Sequence, residues 1–203
     1  MNKQTMRAVI LAGGNSSRMG TPKELLKWRG GTFLSELVKE ISLLGMPCLV
    51  VSNTPERLPA ETIDWTKVQV TSDLVPSSGP VSGLVTAFRA TEEEVLLVLS
   101  CDLPFMDREQ IRKLCEYASG LNEWDVVVAN VQGRLHPLCA LYHRRTQPVW
   151  EQALRDGQYR LMRTLDGLHV KLTPEGLLDE WAVFNANTPV EYEAALAREK
   201  SRK

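Results

Sequence analysis

No stretch of this 203-residue chain is apolar for anything near the ~20 residues of a membrane span. The apolar run that follows Lys3 and Arg7 near the start is too short for a secretory signal. It ends in glycines rather than at a cleavage site, so the cytoplasm is the expected compartment. Four cysteines are present, Cys48, Cys101, Cys115 and Cys139, and no two form a C-x-x-C pair. Zinc sites and disulfides are therefore not expected, and buried free thiols are. Histidine is scarce: His136, His143 and His169. His136 and His143 lie seven apart and would point to opposite sides of one strand, which argues against a metal cluster. Charge of either sign is not in excess, since the formal net charge is -1. That balance excludes a globally basic nucleic-acid binder, and neither a nucleic-acid nor a membrane partner is expected. The triplet Glu92-Glu93-Glu94 reads as a solvated turn.

What is present is an alternation of apolar runs and helical patterns. Strands are expected at Ala8–Leu11, Cys48–Ser52, residues 68–73 and Val95–Ser100, and all four are continuously apolar or nearly so. Between them, residues 32–45 carry Phe33, Leu34, Leu37, Val38, Ile41 and Leu44 at helical spacing, with Thr32 as cap and Gly45 as stop. Residues 75–83 read as a loop and 84–91 as a helix. Residues 107–120 read as a helix capped by Asp107 and ended by Gly120. The pattern argues an α/β, Rossmann-like three-layer sandwich with a mostly parallel sheet covered on both faces.

The second half is less regular. Strands are expected at 125–130 and 138–143, helices at 148–157 and 159–166, and strand and loop at 168–173 and 181–189. A last helix is capped by Thr188, with Pro189 at its first position. No linker splits the chain. One domain over 1–203 is expected, with residues 1–120 as a nucleotide-binding half and 121–203 as an acceptor-binding half.

In parallel sheets ligands bind at the carboxyl ends of the strands. The polar residues gather there: a glycine loop after Leu11, Asn53, Asp73 and Asp102. The loop, "GGNSSRMGTPK", has neither P-loop nor GxGxxG spacing. Backbone N–H groups in such a turn still form an anion nest, and Arg18 and Lys23 add cations beside it. Asp102 ends the most apolar strand. Asp107 takes the capping role of the helix that follows, so Asp102 has no structural duty and suits Mg²⁺, which prefers hard oxygen ligands. Arg160 and Arg163, three apart on an expected helix, would share a face and could hold an anion. Asn185 and Asn187 alternate on an extended segment and would share a side.

"LAGGNSSRMGTPK" resembles the LAGGxSxRMGxxK signature of nucleotidyltransferases. The chain is most similar to the molybdenum cofactor guanylyltransferase family, and "DLVPSSGPVSGL", "SCDLPFM" and "FNANTPVEYEAAL" follow in that family's order. The resemblance implies transfer of GMP from GTP to molybdenum-molybdopterin. It implies nucleotide contacts at Leu11, Ala12, Gly13, Gly14, Lys23, Asn53, Asp73 and Asp102, with Asp102 on Mg²⁺ and Arg18, Lys23 and Asp102 as catalytic residues. It places the Asn185 and Asn187 motif near the active site, where these two join Arg160 and Arg163 as the candidate acceptor contacts, and it brings molybdopterin-delivery proteins and molybdoenzymes as partners. Two departures are visible: Val81-Ser82 where the family has Leu-Ala, and Pro22 where it has an acidic residue. The alternatives are a molybdopterin cytidylyltransferase, a sugar-phosphate or other small-molecule nucleotidyltransferase, or a non-catalytic nucleotide-binding regulator.

Overall fold

A computed structural model describes residues 4–12, 22–58, 68–76 and 78–202. Strand β1 (Met6–Ala12) opens the chain. A short 3-10 turn at Lys23–Leu25 and a two-stranded hairpin, β2 (Lys27–Trp28) and β3 (Gly31–Thr32), lead into helix α1 (Phe33–Leu43). Then come β4 (Cys48–Ser52), β5 (Val68–Ser72), α2 (Gly79–Ala90), β6 (Val95–Ser100) and α3 (Arg108–Ser119). The second half comprises β7 (Val126–Val131), β8 (Arg134–His143), α4 (Gln147–Arg155), α5 (Leu161–Leu165), β9 (Val170–Leu172) and α6 (Pro189–Ser201).

Seven strands form one sheet in the order β5-β4-β1-β6-β8-β7-β9. The pairs β1·β4, β1·β6, β4·β5 and β7·β9 are parallel, whereas β8 runs antiparallel to both β6 and β7. The sheet is thus mostly parallel, as expected, with one reversed strand. The reversal comes from a tight β7–β8 turn at Gln132-Gly133, both with positive φ. Glu175 braces it by accepting from both backbone N–H groups.

Alternation along β1 divides the core. Ala8, Ile10 and Ala12 face α1 and α3, packing with Leu34, Ile41, Ile111 and Leu114. Val9 and Leu11 face the other layer, with Leu84 and Phe88 of α2 and Trp150 of α4. Both faces are covered, which is why the central strands need no polar alternation.

Local signals behave as the residues dictate. Thr32 and Ser35 form a reciprocal capping box on α1, and Asp107 caps α3 by accepting from Glu109 N and Gln110 N. Gly45 adopts φ 66° just past α1.

Four expectations need correcting. Helix α2 begins at Gly79, five residues earlier than read, because Pro80 sits in its first turn where no N–H is needed. Residues 181–189 form no strand but a 3-10 turn at Glu180–Val183 and a loop. Glu93 is not merely solvated: its carboxylate accepts two hydrogen bonds from Arg7 and ties β1 to the turn before β6. Arg160 lies outside α5 with an extended backbone (φ -99°, ψ 113°), so the helical face expected for Arg160 and Arg163 does not form.

Candidate active site

The carboxyl ends of β1, β4, β5 and β6 lie along one edge of the sheet. Leu11 and Ala12 bring β1 to that edge, but both side chains are buried in the core. Only their backbone can face a ligand. Gly13, Gly14 and Arg18 lie outside the described residues.

Asp102 lies two residues past the end of β6. The pairing of β1 with β6 is prolonged by Cys101 N donating to Leu11 O. Asp102 is only 5 % exposed. Its Oδ2 accepts from Lys23 Nζ at 3.0 Å, and its backbone oxygen accepts from Ala186 N at 3.1 Å. Its Oδ1 is buried and has no hydrogen-bond partner among the described residues. Buried carboxylate oxygens without partners are uncommon, because the lost hydration costs about 1–3 kcal/mol or more. Asn53, just past β4, offers a side-chain amide counterpart: its Oδ1 is also buried and without a partner among the described residues. The turn-capping duty open to Asn53 is taken by Ser52, whose hydroxyl accepts from Thr54 N. Two orphaned oxygens thus flank the end of β1, one from each neighbouring strand.

Lys23 sits on the 3-10 turn after the glycine loop. Its ammonium donates to Asp102 and to the side-chain oxygen of Asn187. Asn187 in turn is held by α6, because Glu191 accepts from Asn187 N at 2.8 Å and from the Thr188 hydroxyl at 3.0 Å. Three segments distant in sequence therefore meet at one cation. Beneath them lies an aromatic cluster of Trp28, Phe33 and Phe105, with Trp181, Phe184 and Tyr192 packed on it. Trp28 meets Phe33 and Phe105 edge-on with ring centres 5.5 and 5.2 Å apart. The cluster clamps the segment after Lys23, the segment after Asp102 and helix α6 to one another.

Asp73 closes the far side of the edge, after β5. One of its oxygens accepts from Val75 N and from the hydroxyls of Ser82 and Thr86. Arg160 and Arg163 are exposed. The Arg160 segment lies near the start of α2, since a side chain at Gly79 would meet Tyr159 O at 3.1 Å. Asn185 and Asn187 flank the fully buried Ala186, but they make different contacts: Asn185 donates back to Val183 O. The structure therefore joins Lys23, Asp102 and Asn187 directly, and among the described residues Asn53, Asp73 and Arg160 make no hydrogen bond to that trio.

Three participants were not anticipated as site residues. Glu191 was legible only as the third position of the last helix, Ser82 only as the end of a loop and a departure from the family pattern, and Thr86 only as a position in the helix that follows. Glu24, beside Lys23, is buried, and burial pushes its carboxyl above the usual carboxylate range. Cys101 is buried and its thiol is pushed well up, first by burial and then by Asp102 and Glu24, so it stays protonated at neutral pH.

Residues 8–170 match the family model described as the MobA-like NTP transferase domain. The chain is 32% identical over 198 residues to a probable molybdenum cofactor guanylyltransferase of Carboxydothermus hydrogenoformans, covering 95% of this chain and 96% of that protein. It is also 32% identical over 202 residues to a protein of the same name from a Geobacillus species, covering 95% and 98%. Among solved structures it resembles molybdopterin-guanine dinucleotide biosynthesis protein A from Archaeoglobus fulgidus, with TM-score 0.78 and 21% identity over 96% of this chain and 99% of that one.

Proposed function

Because this chain belongs to the MobA-like NTP transferase family, we propose that it transfers GMP from GTP to molybdenum-carrying molybdopterin. A phosphate oxygen of the acceptor forms the new bond to the α-phosphorus of GTP. The bond from that phosphorus to the bridging oxygen breaks, and pyrophosphate leaves with the electron pair. The product is the molybdopterin guanine dinucleotide. The observation that carries this reading is the Lys23–Asp102–Asn187 contact at the carboxyl edge of the sheet.

Each group has a task that its chemistry suits. An ammonium has three donors, and Lys23 spends two on Asp102 and Asn187. Among the described residues the third has no partner, which leaves it for a phosphate oxygen at a position held from two sides. Arg18 adds a two-donor clamp on the triphosphate, and the backbone of Leu11, Ala12, Gly13 and Gly14 supplies the anion nest. Asn53 and Asp73 face the nucleoside. Arg160, Arg163 and Asn185 face the anionic acceptor, with Asn187 linking the two halves.

The donor set also suits Mg²⁺. Asp102 offers a hard anionic oxygen, Oδ1, that is buried and without a partner among the described residues. When bound, the ion neutralises charge on the reacting phosphates. The protein needs no nucleophile of its own, since the acceptor phosphate is already anionic and Cys101 keeps its proton. Rate acceleration comes from positioning and preorganised charge. The four free cysteines suit the reducing cytoplasm, where molybdopterin-delivery proteins and molybdoenzymes would receive the product.

The deciding experiment measures pyrophosphate release with GTP, CTP and ATP, each with and without molybdopterin, and weighs the product by mass spectrometry. GTP-specific release that requires molybdopterin and yields the guanine dinucleotide supports the reading. Preference for CTP, or release with no pterin product, overturns it.

A further inference from the structure

Helix α2 carries two hydroxyls on an otherwise apolar buried face. Ser82 and Thr86 are one turn apart, 0% and 3% exposed, among Val81, Leu84, Val85 and Phe88. Buried hydroxyls are costly unless hydrogen-bonded. Here both turn to the loop after β5. Asp73 Oδ1 accepts from the Ser82 hydroxyl, from the Thr86 hydroxyl at 3.2 Å and from Val75 N at 3.2 Å. The hydroxyls are themselves acceptors for the same loop: Thr86 Oγ1 takes Leu74 N at 3.0 Å, and Ser82 Oγ takes Val75 N at 3.2 Å. The Thr86 hydroxyl shares its one proton between Asp73 Oδ1 and Ser82 O, the latter at 2.9 Å. The result is a small polar cage built around one oxygen of one carboxylate. Among the described residues, Asp73 Oδ2 has no hydrogen-bond partner.

We propose that Ser82 and Thr86 are positioning residues that pin Asp73 through Oδ1 and leave Oδ2 as the single acceptor offered to the bound nucleoside. This rests on the reading above that Asp73 faces the nucleoside of GTP. It changes what Asp73 can do there. A guanine edge presents two parallel donors, N1–H and the exocyclic amine, and a carboxylate that takes both uses both of its oxygens. With Oδ1 already accepting from three groups, Asp73 takes one donor. The amino-acid chemistry has a further consequence. In Asp73→Asn the inner position still faces three donors, so the amide oxygen stays inside and the NH₂ turns outward. A donor then meets the ligand's donor. Asn should therefore be no better than Ala at this position.

The test combines calorimetric GTP affinity, steady-state kinetics and melting temperature for D73N, D73A, S82A, T86V and the S82A/D73N double variant. D73N and D73A should each weaken GTP binding about tenfold, the scale of one hydrogen bond to a charged group. S82A and T86V should raise the GTP dissociation constant and KM about three- to tenfold, with kcat within about twofold. The double variant should bind GTP no more weakly than D73N alone, because the hydroxyl acts only through the carboxylate. Full-strength GTP binding in S82A and T86V, with D73N weakened, overturns the pinning. So does a double variant in which the two losses multiply, or a D73N that binds like wild type while D73A does not. Unchanged binding in both D73N and D73A removes Asp73 from the nucleoside altogether, a separate failure. Should S82A melt too early to assay, the near-isosteric T86V carries the test.

Discussion

Lys23 and Asp102 stand 79 residues apart in the chain and 3.0 Å apart in space. Their charges offset each other where both are largely out of water, with side-chain exposures of 20% and 8%. Removing one partner of such a pair leaves the other charge uncompensated. Asp102→Asn should lower turnover with GTP and Mg²⁺ by about 10²–10³-fold, the scale seen when a preorganised electrostatic contact is lost. Lys23→Met should lower it comparably. The two variants should part company in a metal titration without nucleotide: Mn²⁺ should bind Lys23→Met more tightly than wild type, since no ammonium competes for Asp102, and should bind Asp102→Asn more weakly. Equal Mn²⁺ affinity in all three proteins would place the cation elsewhere.

Asn187 reaches Lys23 only because its own backbone is tethered. Glu191 accepts from Asn187 N and from the Thr188 hydroxyl, so one carboxylate caps α6 and fixes the loop before it. Glu191→Ala should cost about 1 kcal/mol of stability through the lost cap. It should also lower kcat/KM for GTP severalfold, whereas Glu191→Gln keeps an acceptor at the same reach and should restore most of the rate. If Glu191→Ala loses stability but keeps wild-type kinetics, the carboxylate is a helix cap alone.

The parts of this arrangement that local chemistry controls could be read from the chain. Continuous apolar runs marked the central strands, and Thr32, Asp107 and Thr188 marked helix starts that the structure reproduces. Asp102 stood out for a negative reason, since Asp107 already had the capping task. The less legible parts depend on contacts across long separations. The reversed β8 hangs on a Gln132-Gly133 turn, and its first residues, with polar Arg134 and His136 either side of Leu135, hid how soon the strand starts. The strand also carries a register shift against β7 between Val128 and Ala129, which no alternation pattern announces. Arg160 and Arg163 have helical spacing, but a helix that starts only at Leu161 cannot place both on one face. Ser82 and Thr86 could be counted but not aimed, because their partner lies on another strand's exit loop.

Gly79 shows how a residue that reads as loop can serve a helix. It is the first residue of α2 with φ 73°, and a side chain there would meet Tyr159 O at 3.1 Å and Tyr159 Cβ at 3.3 Å. Gly79→Ala pays in backbone strain, about 1–2 kcal/mol for a left-handed residue, and pushes on the backbone that carries Arg160. The expected outcome is a lower melting temperature together with a raised KM for the acceptor and little change in GTP affinity. A raised KM for GTP alone would disconnect the Arg160 segment from the acceptor.

The contact between Arg7 and Glu93 makes a pH prediction whose sign follows from its geometry. Arg7 Nε and Nη2 both donate to Glu93 Oε1, at 2.9 and 2.7 Å. These hydrogen bonds are the main reason the Glu93 carboxyl is held below its ordinary value of 4.5. A carboxyl whose pKa is lowered on folding binds its proton more readily in the unfolded chain. Its stabilising contribution is complete above the ordinary carboxylate range and disappears as pH falls through the folded-state value. The pair is partly exposed, so the contribution is small, at most about 1 kcal/mol, and weakens with salt. Glu93→Gln should therefore melt slightly below wild type at neutral pH in low salt. The gap should close on acidification below about 4.5, because wild type then carries a protonated, uncharged Glu93 of its own. A gap that stays constant down to pH 3, or that ignores salt, would mean that Glu93 supports the β1–β6 junction by shape rather than by charge.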